Sequence, residues 1–155
     1  MSDGVKHTTL AEELAAGRTV TYFTVGISMK PLLRTRKTHV TVAPLPSPDA
    51  AEPGDILLYL RPGDIYVLHR LMKRDTDAFY MRGDNTYELE RIHPSQAIGV
   101  VTHIYRRGQL FDVHTRRSYR LYVAVWNAIY PLRHFVARVK WFLSRRLRRQ
   151  KKEQT

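Results

Sequence analysis

DILLYLRPGDIYVLHRLM, residues 55–72, holds two β-rich runs separated by a turn signal. Pro62 presets one φ and Gly63 permits a positive one, so the segment predicts a hairpin joining 55–60 to 65–72. Along the second run, period-two alternation puts Val67, His69 and Leu71 on one face and Leu68 and Arg70 on the other. Further β-rich runs lie at 19–25, 39–44, 78–83 and 98–106. Strands this short and closely spaced predict a mainly β, antiparallel domain and exclude a parallel α/β sheet. Thr9 and Glu12 form a capping-box pattern ahead of Leu10 and Leu14, and Gly17 is a stop, so a short helix is expected over 10–16. The proline-rich segment 43–54, which runs into the first of two PGDI copies at 53–56, reads as a mobile connection.

The chain has 155 residues, enough for one cored domain and an additional element. It has no cysteine, which excludes thiol catalysis, disulfides and Cys-based zinc sites. Seven histidines show no metal-ligand spacing, so neither metal nor other cofactor is expected. Residues 116–155 carry twelve Lys/Arg against one acid, a net +11 out of +12 for the whole chain. The expected division is therefore a domain over 1–115 and a basic tail over 116–155. No run of about 18 apolar residues occurs, and the N-terminal segment lacks a hydrophobic signal core. A cytoplasmic location is expected, either free or peripheral on the inner face of the membrane.

VGISMKPLL, residues 25–33, presents Ser28 as a candidate nucleophile, and such a serine needs a base and oxyanion donors. His69, among apolar neighbours on its strand, is the candidate base, because partial burial keeps an imidazole neutral. GDN at 83–85 is a common turn signal, and on its own Asp84 reads as a turn-former.

Taken in order, GISMKPLL, YVLHRLMKR and MRGDNTYELE resemble the three successive boxes of the signal-peptidase and SOS-repressor superfamily of serine peptidases. The resemblance runs from about residue 18 to 107. Many members carry a lysine base in the second box. This chain has His69 there and so is similar to the Ser/His branch. The resemblance implies a folded antiparallel β domain, attack by Ser28 Oγ on a peptide carbonyl, an acyl-enzyme, and water activated by His69. It implies Glu90 as the acid orienting His69, with Asp84 in support, although the two acids could exchange roles; Glu88 reads as a solvated charge. The backbone N–H of Ser28 would serve the oxyanion hole. Gly26 stands where many relatives supply a hydroxyl, so a neighbouring N–H is the expected second donor, and Met29 would shape the substrate loop.

The tail should form one or two helices bent near Pro131. Leu132, Phe135, Val136, Val139, Phe142, Leu143 and Leu147 recur at three- and four-residue steps, while Arg133, His134, Arg138, Lys140, Arg145 and Arg148 lie largely opposite and Trp141 near the boundary. Two occupants of the apolar face stay open: an anionic membrane surface, through 132–149, or the protein itself, as its own β domain or a second subunit. Nucleic acid ranks lower, since no base-reading motif accompanies the charge. The alternative to a peptidase is a non-enzymatic regulatory or binding module that keeps the peptidase-like fold and uses its basic tail for membrane or nucleic acid.

Overall fold

The computed structural model describes residues 9–115, 117–139 and 142. Contacts divide the chain into two compact units, Met1–Arg117 and Ser118–Thr155. The first begins with helix α1 (Leu10–Ala15), whose N-cap Thr9 and N3 residue Glu12 exchange both capping-box hydrogen bonds. Eight strands follow: β1 (Val20–Phe23), β2 (Thr38–Pro44), β3 (Ile56–Arg61), β4 (Ile65–Arg74), β5 (Phe79–Arg82), β6 (Glu90–Ile92), β7 (Ala97–Arg106) and β8 (Gln109–Asp112). They form one curled antiparallel sheet in the order β1-β2-β7-β3-β4-β5-β6. One edge of β7 is paired by β2; the other is shared by β3 at its start and β8 at its end.

The β3–β4 hairpin pairs Arg61 with Ile65 across Pro62, Gly63 and Asp64, and both Gly63 (φ +83°) and Asp64 (φ +57°) are left-handed. Its register sets the face on which the candidate site is built. Leu57 opposes His69, Leu71 opposes Met81, and Met81 opposes Glu90. Cross-strand partners share a face, and so do residues two apart on a strand. Leu57, Tyr59, Arg61, His69, Leu71, Met81 and Glu90 therefore lie on one side of the sheet. The apolar members form a core with Phe79, Ile92 and Ala51. Ile56 and Leu58, on the opposite face, are equally buried.

One local expectation changes, and two features go beyond what the sequence offered. The segment 43–54 is anchored at two points: Ala51 is buried in the core and Leu45 packs against it, Leu45 N–H donates to Ile98 O at 3.4 Å, and the exposed residues between them include a 3-10 turn at Pro48–Ala50. Proline content there marks fixed turns, because a preset φ suits an ordered connection as well as a loose one. β6 and β8 are additional strands, and the three residues of β6 are too few to leave a periodic signal. Arg70 is buried, since β4 is covered on both faces at residues 69–71.

In the second unit, α2 (Arg117–Ala128) is followed by helical residues 130–139, with Ile129 as the interruption. Pro131 lies in the first turn of the resumed helix, where its missing N–H is least costly. Arg133 stacks over the Trp126 ring at 3.7 Å, and His134 stacks on Tyr130. Leu132, Phe135, Val136, Val139 and Phe142 are exposed. Lys140, Trp141, Leu143, Arg145, Leu147 and Arg148 fall outside the described residues. Among the described residues no helix is long and apolar enough to cross a membrane.

Candidate active site

Ser28 sits in the turn that follows β1, half-buried, at the wall of a cleft of about 350 Å³. His69, on β4, lines the same cleft, together with Gly26, Met29, Leu33, Val67 and Thr86. Met29 is buried, and its carbonyl accepts from Leu33 N–H at 2.9 Å, which folds the loop back beneath the cleft. Gly26 has φ +96°, a left-handed conformation that a side chain at this position would strain, and its carbonyl accepts from the Thr35 hydroxyl.

The GDNT turn, residues 83–86, connects the two walls. It closes on itself: Gly83 N–H donates to Thr86 Oγ1 at 2.9 Å and Thr86 N–H to Gly83 O at 3.0 Å. Asn85 N–H then donates to Ser28 O at 2.6 Å, and its amide Nδ2 to Ile27 O at 3.3 Å. The turn thus holds the serine loop by its backbone. A Cβ on Gly83 would lie 2.6 Å from Ser28 O, 3.0 Å from Thr86 Oγ1 and 3.1 Å from His69 Nε2. The absence of a side chain at Gly83 is what lets the serine loop and the His69 Nε2 edge approach the same point.

The two acids occupy different places. Asp84 is buried with both oxygens held by Arg70, Nε to Oδ1 and Nη2 to Oδ2, each at 2.8 Å, and Arg70 Nη1 donates to Gly54 O at 2.7 Å. A fork this complete offsets the desolvation of both charges. Its geometry staples β4 to the GDNT turn, so that His69 and Arg70, consecutive residues on opposite faces, both engage the third box. Glu90 lies on the Nδ1 side of His69, with Oε2 at 3.9 Å, beyond hydrogen-bond reach. The gap is spanned by Tyr59, whose hydroxyl lies 3.0 Å from His69 Nδ1 and donates to Glu90 Oε2 at 2.6 Å. Arg61 clamps the same carboxylate, through Nε to Oε1 at 2.6 Å and through Nη2 to Oε2. Glu88 is exposed.

Electrostatics follow from this arrangement. Burial holds the His69 imidazole below its usual value of 6.5, against the opposing pull of Glu90 and Asp84 and with a smaller push from Arg61. The Arg61 hydrogen bond keeps the Glu90 carboxyl below its ordinary range, assisted by Tyr59. Burial, reinforced by Glu90, pushes the Tyr59 phenol well above its ordinary value, so it stays protonated. The result at neutral pH is an uncharged imidazole backed by a charged carboxylate through a neutral phenol.

Tyr59 and Arg61 were not singled out in the sequence. Their signal was available in part: both share the face of His69 once the hairpin register is drawn. No family model matches the chain, and no curated protein matches it in sequence.

Proposed function

We propose that this chain is a serine endopeptidase of the signal-peptidase-like type, with Ser28 as nucleophile, His69 as general base, and Glu90 as the acid behind His69. The observation that carries the reading is the joint approach of the Ser28 loop and His69 Nε2 to Gly83, at the wall of one cleft, with a carboxylate held behind the other ring nitrogen. A neutral imidazole, held so by burial, is the state a general base requires. In the reaction, Ser28 Oγ bonds to the scissile carbonyl carbon as its proton passes to His69 Nε2. That proton then goes to the leaving amine, and water repeats the sequence on the acyl-enzyme. Asp84, paired with Arg70, supports the turn that holds the serine loop.

The test is cleavage of a peptide library by wild type, Ser28→Ala and His69→Ala side by side. Loss of all cleavage in each variant, with folding retained and with losses that do not add in the double variant, supports the reading. Turnover unchanged in either variant refutes it and leaves the non-enzymatic binding module. The basic tail is proposed to lie on an anionic membrane surface, supported by the exposed stripe Leu132, Phe135, Val136, Val139 and Phe142 beside a net charge of +11 over 116–155.

A further inference from the structure

Between His69 and its acid stands a group that a serine–histidine–carboxylate arrangement does not require. Glu90 Oε2 is 3.9 Å from His69 Nδ1, while the Tyr59 hydroxyl is within hydrogen-bond reach of both. The reach is built into the register. Leu57 opposes His69 on the neighbouring strand, and Tyr59, two residues on, is its diagonal neighbour on the same face, a separation that a long side chain covers. Tyr59 itself is fully buried in the core, and its ring has no freedom to leave.

We infer that Tyr59 is a positioning residue that sets the tautomer of His69, passing the influence of Glu90 to the imidazole through a directed hydrogen-bond chain; this rests on the peptidase reading of Ser28 and His69. The direction follows from counting protons. A carboxylate clamped by two Arg61 donors is ionised and can only accept. The single phenolic proton therefore points to Glu90. Toward His69 the phenol has only lone pairs left, so Nδ1 must be the donor and carry the ring proton. Nε2, on the Gly83 and Ser28 side, is then bare and able to accept. When Ser28 gives its proton to Nε2, the imidazolium keeps its Nδ1 proton, donated to the Tyr59 oxygen, and the phenol keeps its own, donated to Glu90. No proton leaves Nδ1 or Tyr59. Among the described residues, the groups that bear on His69 are Tyr59 and Arg61 from β3, Glu90 from β6 and Asp84 from the turn after β5, and of these only Tyr59 meets Nδ1 at hydrogen-bonding distance.

The test combines nitrogen NMR of the His69 ring, assigned by its disappearance in His69→Ala, with the pH profile of kcat/KM, in the full chain and in Tyr59→Phe and Glu90→Leu. Wild type is expected to hold the Nδ1–H tautomer. Tyr59→Phe keeps the ring but removes the acceptor, so the Nε2–H form should become populated, kcat should fall about 10- to 100-fold, and the acid limb should move to lower pH, because the imidazolium loses more than the neutral ring. That loss corresponds to about 1.4 to 2.7 kcal/mol at 1.36 kcal/mol per decade. Glu90→Leu leaves the phenolic proton no carboxylate, turns it toward Nδ1, and should convert His69 to the Nε2–H form although Glu90 never touches the ring. A tautomer unchanged in both variants, or an acid limb in Tyr59→Phe that stays or rises, overturns the inference while wild-type cleavage keeps the peptidase reading. Tautomers that shift as stated in the two variants, alongside a wild type without any hydrolytic activity, uphold the chain and overturn the peptidase reading.

Discussion

Gly83→Ala adds one carbon at the point where the serine loop, the GDNT turn and His69 meet. The new Cβ would stand 2.6 Å from Ser28 O, 3.0 Å from Thr86 Oγ1 and 3.1 Å from His69 Nε2. The nearest of these is a backbone atom, so relief requires moving a chain segment, and overpacking of this kind costs about 1–3 kcal/mol. Displacing Ser28 O also weakens its hydrogen bond from Asn85 N–H, adding about 0.5–1.5 kcal/mol. The expected loss of stability is thus about 1.5–4.5 kcal/mol, which at about 2–4 °C per kcal/mol for a chain of this size lowers Tm by roughly 3–18 °C. Activity should suffer out of proportion. A shift of about 1 Å between reacting groups costs about 100-fold, so kcat should drop by that order with KM little changed, measured well below the new Tm. Calorimetry and steady-state kinetics on the purified variant give both numbers. A Gly83→Ala protein as stable and as active as wild type would refute the close approach on which the active-site reading depends.

Asp84→Asn should destabilise by about 3–5 kcal/mol in urea denaturation, because it leaves the buried Arg70 guanidinium without its counter-charge; full stability with abolished cleavage would instead give Asp84 a direct part in the reaction. With neutral His69 as the proposed base, the acid limb of kcat/KM should have its midpoint below pH 6.5, since burial depresses the His69 pKa. The same depression makes stability fall as pH drops below 6.5: in that window the unfolded histidine binds a proton that the folded one refuses, so the contribution is full above 6.5 and fades toward the folded pKa, with a slope of up to about 1.4 kcal/mol per pH unit. His69→Ala should flatten that part of the urea-midpoint profile, and an unaltered profile would count against a depressed pKa. The full chain should co-sediment with anionic vesicles, bind neutral ones poorly and be partly released as salt rises, while a chain lacking 118–155 should not bind; equal binding to neutral vesicles would show that the arginines contribute little.

Much of the fold was legible because its signals are local. The capping box at Thr9 and Glu12, the Pro-Gly turn between β3 and β4, and the alternation along 65–72 depend on neighbours a few residues away, and the mainly β architecture follows from them. The short β6 was not legible, since three residues cannot show a period, and neither was the anchoring of 43–54 through Leu45 and Ala51, because proline content does not separate fixed turns from loose ones. The three boxes marked Ser28, His69, Asp84 and Glu90 as residues of interest. What each acid touches was decided by the tertiary structure. Two neighbours in sequence, His69 and Arg70, face opposite ways, and it is Arg70 that takes Asp84. Tyr59 and Glu90 belong to strands three places apart, which at about 4.8 Å per step would separate their backbones by roughly 14 Å in a flat sheet. Twist and curl bring the two side chains together on the inner face, above the strands between them. Sheet curvature is a sum over many pairings and no single residue encodes it, so the partner of the His69 Nδ1 atom became visible only once the strands were assembled.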